Sequence, residues 1–314
     1  MRINSLLLPL IFFTACKFVP ADDSKNETYL KEGPAFNVLL NPENGSTYRY
    51  TVSNKTDVEA EVNEQEVVSK NYSDMVISYA VGRDTANDLL LTMQYEKIKL
   101  KVQNGKEETE LDADNAKYSL SMLEKMLGGL QESKFEIQLK PNGTVKNIGG
   151  FKEAGDRVFK QIQFKNMQEM QVARELWDKT IEANMVRQSV NQFFRIFPDS
   201  SIHLREKWTI TQTQEGEFDL KTTTTYFVKA ITEDKVFVES VAVITSNSET
   251  TEALRNVADL KGEQTGEYVL ELKTGMLLSA KLTANIKGNV MIQGGNAPIK
   301  IKSVIIMQSN QSKK

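Results

Sequence analysis

Apolar and polar residues alternate over long stretches in the first and last thirds of this 314-residue chain. The clearest examples are residues 47–53, 74–81 and 88–102. A period of two sends successive side chains to opposite faces, so each stretch predicts a half-buried β-strand. Short turns separate these stretches, and strands joined by short turns run antiparallel. The pattern therefore predicts antiparallel rather than parallel sheet.

The stretch at residues 88–102 changes phase at Lys97. Up to Tyr95 the apolar residues occupy odd positions, and from Ile98 they occupy even positions. Such a change predicts either a β-bulge or a strand that is partly buried on both faces.

Helical spacing of apolar residues predicts helices at residues 114–132, 151–162 and 166–195, with a further short helix at 250–259. Many methionine and aromatic residues fall in the middle helices. They would either line a ligand site or pack against a sheet, and core packing is the favoured interpretation.

Two predicted hairpins, at residues 135–148 and 268–284, share an aromatic residue, alternating aliphatic residues, a lysine and a glycine turn. This likeness suggests an internal duplication of residues 35–150 and 200–314, with a helical connector at 151–199. The expected fold class is α+β, with two similar curved antiparallel sheets packed on helices.

The first sixteen residues have the pattern of an export signal. Arg2 precedes an apolar run that is shorter than the roughly 20 residues of a membrane-spanning helix. The run ends at Cys16, the single cysteine of the chain. Phe13-Thr14-Ala15-Cys16 resembles the lipobox of bacterial lipoproteins. The resemblance implies cleavage after residue 15, diacylglycerol on the Cys16 sulfur and a further acyl group such as palmitate on the new amino terminus.

The same resemblance implies a location in the cell envelope. Residues 16–34 predict a lipidated, flexible tether, and the expected anchorage is to the outer membrane, facing the periplasm. Asp22 and Asp23 resemble the acidic residues of surface-exported lipoproteins of Bacteroidota, which leaves surface display as an alternative. The expected partner is therefore the membrane, contacted through Cys16.

No familiar catalytic or metal-binding pattern occurs in the sequence. His203 is the single histidine, and Ser200 and Ser201 near it lack the strand-turn-helix motif of a hydrolase nucleophile. Asp112 and Asp114 form a partial calcium-loop pattern without its glycine and glutamate, so a helix cap is the favoured interpretation. We predict no catalytic residue, no metal site and no cofactor.

The net charge is −3, so the chain has no excess of basic residues, which argues against nucleic acid as a partner. Residues 45–50, Phe197-Pro198 and the strand with Trp208 resemble a family of uncharacterised Bacteroidota lipoproteins that has no assigned activity. A weaker resemblance is to half-barrel carriers of lipoproteins or lipids, which implies a concave apolar face.

The expected function is that of a non-enzymatic cell-envelope lipoprotein, which binds a hydrophobic ligand or a partner protein on a curved sheet. One alternative is a structural or assembly accessory of the envelope. Another is a hydrolase that uses carboxylates, because carboxylate pairs across a cleft leave no pattern in a sequence.

Overall fold

Long antiparallel strands form most of the structure. The computed structural model describes residues 32–62, 65–84, 88–162, 164–178, 186–199, 201–214, 220–246, 258–292 and 295–310. The predicted signal sequence, Cys16 and nearly all of the predicted tether lie outside these residues. Among the described residues, no helix is long and apolar enough to cross a membrane.

Fourteen strands and four α-helices are described. The strands are β1 (Glu32–Phe36), β2 (Thr47–Val62), β3 (Gln65–Arg83), β4 (Leu89–Asn104), β5 (Glu107–Asp112), β6 (Lys134–Leu139), β7 (Val145–Gly149), β8 (Ile202–Leu204), β9 (Lys207–Gln214), β10 (Leu220–Ile231), β11 (Lys235–Ser246), β12 (Ala258–Glu271), β13 (Leu277–Ile292) and β14 (Gly295–Ser309). The helices are α1 (Met122–Gln131), α2 (Phe151–Gln161), α3 (Met167–Leu176) and α4 (Gln188–Phe194), with a 3-10 helix at Ala113–Tyr118.

Twelve of the strands belong to one sheet. Its order is β7-β6-β4-β3-β2-β14-β13-β12-β11-β10-β9, and β5 pairs with β4 outside this path. Strands β1 and β8 form a separate two-stranded sheet. Every pairing is antiparallel, as the alternation and the short turns predict.

The expected α+β class with two similar sheets is wrong. Strand β14 pairs with β2 from Ile299 opposite Ala60 to Ser309 opposite Tyr50, so the strands of both chain halves form one continuous sheet. The architecture is a large antiparallel sheet with a few helices, rather than two sheets packed on helices. An alternating strand looks the same in sequence whichever strand it pairs with, so the pattern could not reveal this junction.

The bulge predicted near Lys97 is confirmed. Val76 on β3 lies opposite Lys97 on β4, whereas Ile77 lies opposite Tyr95, so Glu96 is the extra residue. Tyr95 and Ile98 are consequently both buried on the same face of β4 although three positions separate them.

One face of the main sheet is buried along long strands, and the helices cover part of it. Tyr50 and Tyr79 contact Phe193 of α4 with ring centroids 4.8 and 5.4 Å apart, and Tyr79 lies edge-on to Phe194 at 5.2 Å. The core-packing interpretation of the middle aromatic residues is thus confirmed. Met167 differs, because its side chain is 75% exposed at the start of α3.

The predicted helix at residues 114–132 is split in two. The 3-10 helix ends before Ser119, and α1 begins after Ser121, whose hydroxyl accepts a hydrogen bond from the Glu124 N–H at 3.3 Å. The hairpin of β6 and β7 forms as predicted, with Gly143 in the left-handed conformation at its turn. The predicted helix at 250–259 lies mostly outside the described residues, and β12 begins at Ala258.

Candidate functional site

A group of polar side chains lies on the buried face of the sheet, where the alternation of the strands would normally place apolar residues. We call this group the polar band. Its members come from β2, β3, β4 and β14: Asn54, Thr56, Ser69, Asn71, Ser73, Asn104 and Ser303. They share a face because they lie directly opposite one another in the sheet.

The polar band separates two apolar clusters on that face. Along β2, Tyr50 and Val52 belong to the main cluster beside the helices, and Val58 and Ala60 belong to a second cluster. Along β14, Ser303 likewise lies between Ile305 of the main cluster and Ile301 of the second. The described helices contribute no residue to the second cluster. Along these strands, the buried face therefore carries apolar, then polar, then apolar side chains.

Three of the seven side chains of the polar band, those of Asn54, Thr56 and Ser303, are hydrogen-bonded to one another. The Thr56 hydroxyl donates to Ser303 Oγ at 3.0 Å, and the Ser303 hydroxyl donates to Asn54 Oδ1 at 3.0 Å. These bonds cross the junction between β14 and β2, so they satisfy buried polar groups at the centre of the sheet.

Each of the other four side chains has a buried oxygen without a hydrogen-bond partner. Ser69 Oγ, Asn71 Oδ1, Ser73 Oγ and Asn104 Oδ1 are buried atoms without a hydrogen bond. Ser69, Asn71 and Ser73 are only 2, 7 and 4% exposed. Each such group costs about 1–3 kcal/mol when it is buried unpaired. A cluster of them on two neighbouring strands marks a place where bound groups would be stabilising.

The chemistry of the band is neutral. Amide oxygens accept hydrogen bonds, and serine hydroxyls both donate and accept them. Burial also raises the pKa of Tyr50, whose hydroxyl lacks a partner and lies on the band's face of β2, so this group stays neutral. The arrangement suits a ligand that presents hydroxyl or amide groups rather than a charge.

The apolar concave face expected from the half-barrel resemblance is filled beside the helices. Phe135, Phe194 and Phe197 are among the largest fully buried side chains there. Trp208 on β9 stacks on Tyr226 of β10 at 5.5 Å, and its indole N–H donates to the Ile196 carbonyl at 3.1 Å. This part of the face is a packed core.

The other residues singled out in the sequence do not come together as a catalytic site. His203 Nδ1 lies 2.9 Å from Glu206 Oε2, whereas the Ser201 hydroxyl donates to Asn37 at 2.6 Å. Ser200 and Cys16 lie outside the described residues. Among the described residues, no group of three or more histidine, cysteine or acidic side chains is placed to hold a metal ion.

The predicted helix-capping role of the Asp112 region is confirmed. The Asp112 carboxylate accepts a hydrogen bond from the Asp114 N–H at 3.2 Å and forms an ion pair with Lys99. Partial burial alone would raise the pKa of Asp112, but the Lys99 ammonium and the Asp114 N–H hold it below its usual value.

The polar band was not predicted from the sequence, although a signal exists. Ser69, Asn71 and Ser73 continue the odd-numbered phase of Met75, Ile77 and Tyr79 on β3. Polar residues in a strand are ordinarily assigned to the exposed face. The alternation therefore does not by itself predict that these three polar residues are buried. The shared phase with buried residues is the feature that would have located the band.

Comparison with known protein families gives a match over more than half of the chain. The model of a family described as a family of unknown function, DUF6263, matches residues 86–277. The matched segment contains the four α-helices that the structure describes and Asn104 of the polar band, while the band residues of β2, β3 and β14 lie outside it. No curated protein matches the chain.

Proposed function

Since the chain belongs to DUF6263, a family of unknown function, we propose a function from the geometry of its sheet. The proposed function is that of a non-enzymatic, lipid-anchored binding protein of the bacterial cell envelope. It holds an amphipathic ligand against the buried face of the sheet. The observation that carries the proposal is the set of unpartnered buried oxygens at Ser69, Asn71, Ser73 and Asn104.

The ligand class follows from what lies beside these oxygens. Hydroxyl or amide groups of the ligand would supply the hydrogen bonds that Asn71 and Asn104 lack. The apolar part of the same ligand would replace strand-to-strand contacts of the second cluster, which includes Val58 and Ile301. The fitting ligand is therefore a lipid or apolar metabolite with a neutral, hydrogen-bonding head.

The proposed membrane anchor is the lipobox-like sequence that ends at Cys16. A fully extended chain from Cys16 to Glu32 at the start of β1 reaches about 58 Å at most. Such an anchor would hold the sheet within that distance of a membrane, which is the natural source of an amphipathic ligand. The resemblance to Bacteroidota lipoproteins supports the outer membrane as the site of anchorage.

Native mass spectrometry of the mature protein, purified from the envelope of its host, tests the proposal. The wild-type protein should carry a reproducible added mass beyond that of its lipid anchor. Asn71→Leu combined with Ser73→Ala should lose this mass, because the pair supplies two of the unpartnered oxygens. Ser53→Ala combined with Asn147→Leu makes the same chemical changes outside the polar band, at a half-buried and an exposed position, and should keep it.

Two results would contradict the proposal. One is a wild-type protein without any added mass. The other is an added mass that the band variant retains at the level of the control variant. Circular dichroism and urea unfolding of both variants would establish that a lost mass does not reflect lost structure.

A further inference from the structure

A groove crosses strands β11 to β14 on the face of the sheet opposite the polar band. Its volume is about 500 Å³. Three consecutive residues of each strand line it, at 243–245, 261–263, 285–287 and 300–302. The middle residues, such as Ile286 and Ile301, have their side chains in the second apolar cluster. The flanking residues form the two walls, because successive side chains point to opposite faces.

One wall of the groove carries a row of lysines. Lys261 on β12 lies directly opposite Lys287 on β13, and Lys287 lies directly opposite Lys300 on β14. Neighbouring strands are about 4.8 Å apart, so the row spans about 10 Å. Like charges that face each other across strands are destabilising. Lys302 adds a fourth ammonium group on the other wall, which Glu263 also lines. Asp57 on β2 lies opposite Lys302 in the sheet and pairs with Lys55 at 3.4 Å.

The acidic residues around the groove neutralise these lysines weakly. Lys261 lies 3.5 Å from Asp259 and Lys300 lies 3.6 Å from Glu59, and both lysine side chains are at least 70% exposed. Exposed ion pairs of this kind contribute about 0–1 kcal/mol to the stability of a protein. Among the described residues, Lys287 and Lys302 have no acidic partner within 4.0 Å.

Several lysines elsewhere on the same face are paired more closely. Lys101 on β4 lies 2.7 Å from Glu108, and Lys99 on β4 and Lys229 on β10 form ion pairs with Asp112 and Glu239. The groove thus places four weakly neutralised lysines close together, in a protein whose net charge is negative.

We propose that this groove binds the phosphorylated headgroup of a membrane lipid. The row of ammonium groups complements phosphate oxygens, for which lysine acts as a point charge. The groove also presents Val243, whose side chain is 57% exposed, beside the lysine stems. A concave site with an apolar wall suits a headgroup joined to acyl chains. This site lies on the opposite face from the polar band and does not depend on the function proposed there.

Vesicle co-sedimentation tests this site, using the mature chain of residues 16–314 with Cys16→Ser, so that neither the lipid anchor nor the apolar export signal contributes. The protein should bind vesicles of phosphatidylcholine that contain phosphatidic acid, and it should not bind phosphatidylcholine alone. Lys287→Gln combined with Lys302→Gln should weaken binding about tenfold or more. Binding should also fall with added salt, which screens exposed charges. Lys97→Gln combined with Lys281→Gln removes the same charge from exposed positions outside the groove and should bind as the Cys16→Ser parent does.

Inositol hexakisphosphate provides a soluble source of phosphate groups for comparison. Binding of this compound without any binding of vesicles would overturn the assignment to a lipid headgroup. Equal vesicle binding by the groove variant and the control variant would overturn the site itself. All four substitutions are at exposed side chains, so urea unfolding should show both variants to be folded.

Discussion

The Ser303 hydroxyl on β14 donates a hydrogen bond to Asn54 Oδ1 on β2 at 3.0 Å, although 249 positions separate the two residues. The bond lies where β14, the last strand that the structure describes, joins the long strand β2 in the middle of the twelve-stranded sheet. Thr56 adds a second bond to Ser303 at 3.0 Å. Early and late parts of the chain must therefore come together before the central buried polar groups are satisfied.

The partnered and unpartnered serines of the polar band should respond oppositely to truncation. Ser303→Ala removes the hydrogen bonds that Ser303 accepts from Thr56 and donates to Asn54, and keeps only the longer Thr56–Asn54 bond of 3.3 Å between these side chains. The loss of two buried hydrogen bonds should lower the free energy of unfolding by about 1–3 kcal/mol. Ser73→Ala removes a hydroxyl that has no partner, so it should leave stability unchanged or raise it by up to about 1 kcal/mol.

Urea unfolding of the ligand-free protein measures both changes. The slope of the transition should stay constant, since neither substitution changes the surface exposed on unfolding. A loss at Ser73→Ala as large as that at Ser303→Ala would show that Ser73 is partnered in solution, which would weaken the case for a ligand there.

Gly128 allows close packing between α1 and the preceding 3-10 helix. A Cβ at this position would lie 2.3 Å from the Cβ of Ala116, which cannot rotate away. Alanine is better than glycine within a helix by about 1 kcal/mol, whereas overpacking costs about 1–3 kcal/mol. Gly128→Ala should therefore be destabilising in thermal or urea unfolding.

Gly149→Ala is the matched control, because nothing lies within 4 Å of a Cβ there and its backbone conformation is ordinary. It should be neutral. A Gly128→Ala variant as stable as the wild type would show that α1 and the 3-10 helix are not in contact as described.

Several features of the fold were predictable from the sequence because they are local. The bulge at Glu96 appears as a change of phase, and the β6–β7 turn follows from Pro141-Asn142-Gly143. The pairing of β2 with β14 was not predictable, because alternation specifies a buried face but not a neighbour. The polar band was not predictable for a related reason. Ser69, Asn71 and Ser73 have polar side chains, which are typical of a protein surface, at alternating positions that face the core.

Phe194 of α4 fills the face of the sheet beside Tyr79, at a centroid distance of 5.2 Å. Phe194→Ala should lower the free energy of unfolding by about 3–5 kcal/mol, since it leaves a cavity in a fully buried place. Val172→Ala on α3 serves as a control at a side chain that is more than half exposed, and it should change stability by less than about 0.5 kcal/mol. Similar small losses at both sites would contradict a solid core beneath α4.

Buried tyrosines make stability depend on alkaline pH. Burial raises the pKa of Tyr268 to about 12, and it raises the pKa values of Tyr79 and Tyr95 as well. An unfolded tyrosine ionises near pH 10, so above about pH 10 the unfolded state loses protons that the folded state keeps. Stability is therefore full below pH 10 and should fall as the pH rises towards 12, by about 1.4 kcal/mol per unit for each such tyrosine.

Urea unfolding across this pH range, with tyrosinate absorbance recorded in parallel, checks the dependence. Tyr268→Phe should reduce the fall in unfolding free energy per pH unit by the contribution of one tyrosine. Ionisation of the buried tyrosines well before unfolding would contradict the packing described for them.

The most direct test of the central claim is a crystal structure of the protein purified from the envelope of its host. The account predicts a bound molecule whose hydroxyl or amide groups lie about 2.7–3.2 Å from Ser69 Oγ, Asn71 Oδ1 and Ser73 Oγ. Its apolar part should contact Val58 and Ile301. If protein groups or ordered water satisfy those oxygens instead and the second apolar cluster is intact, the binding function proposed for this face is contradicted.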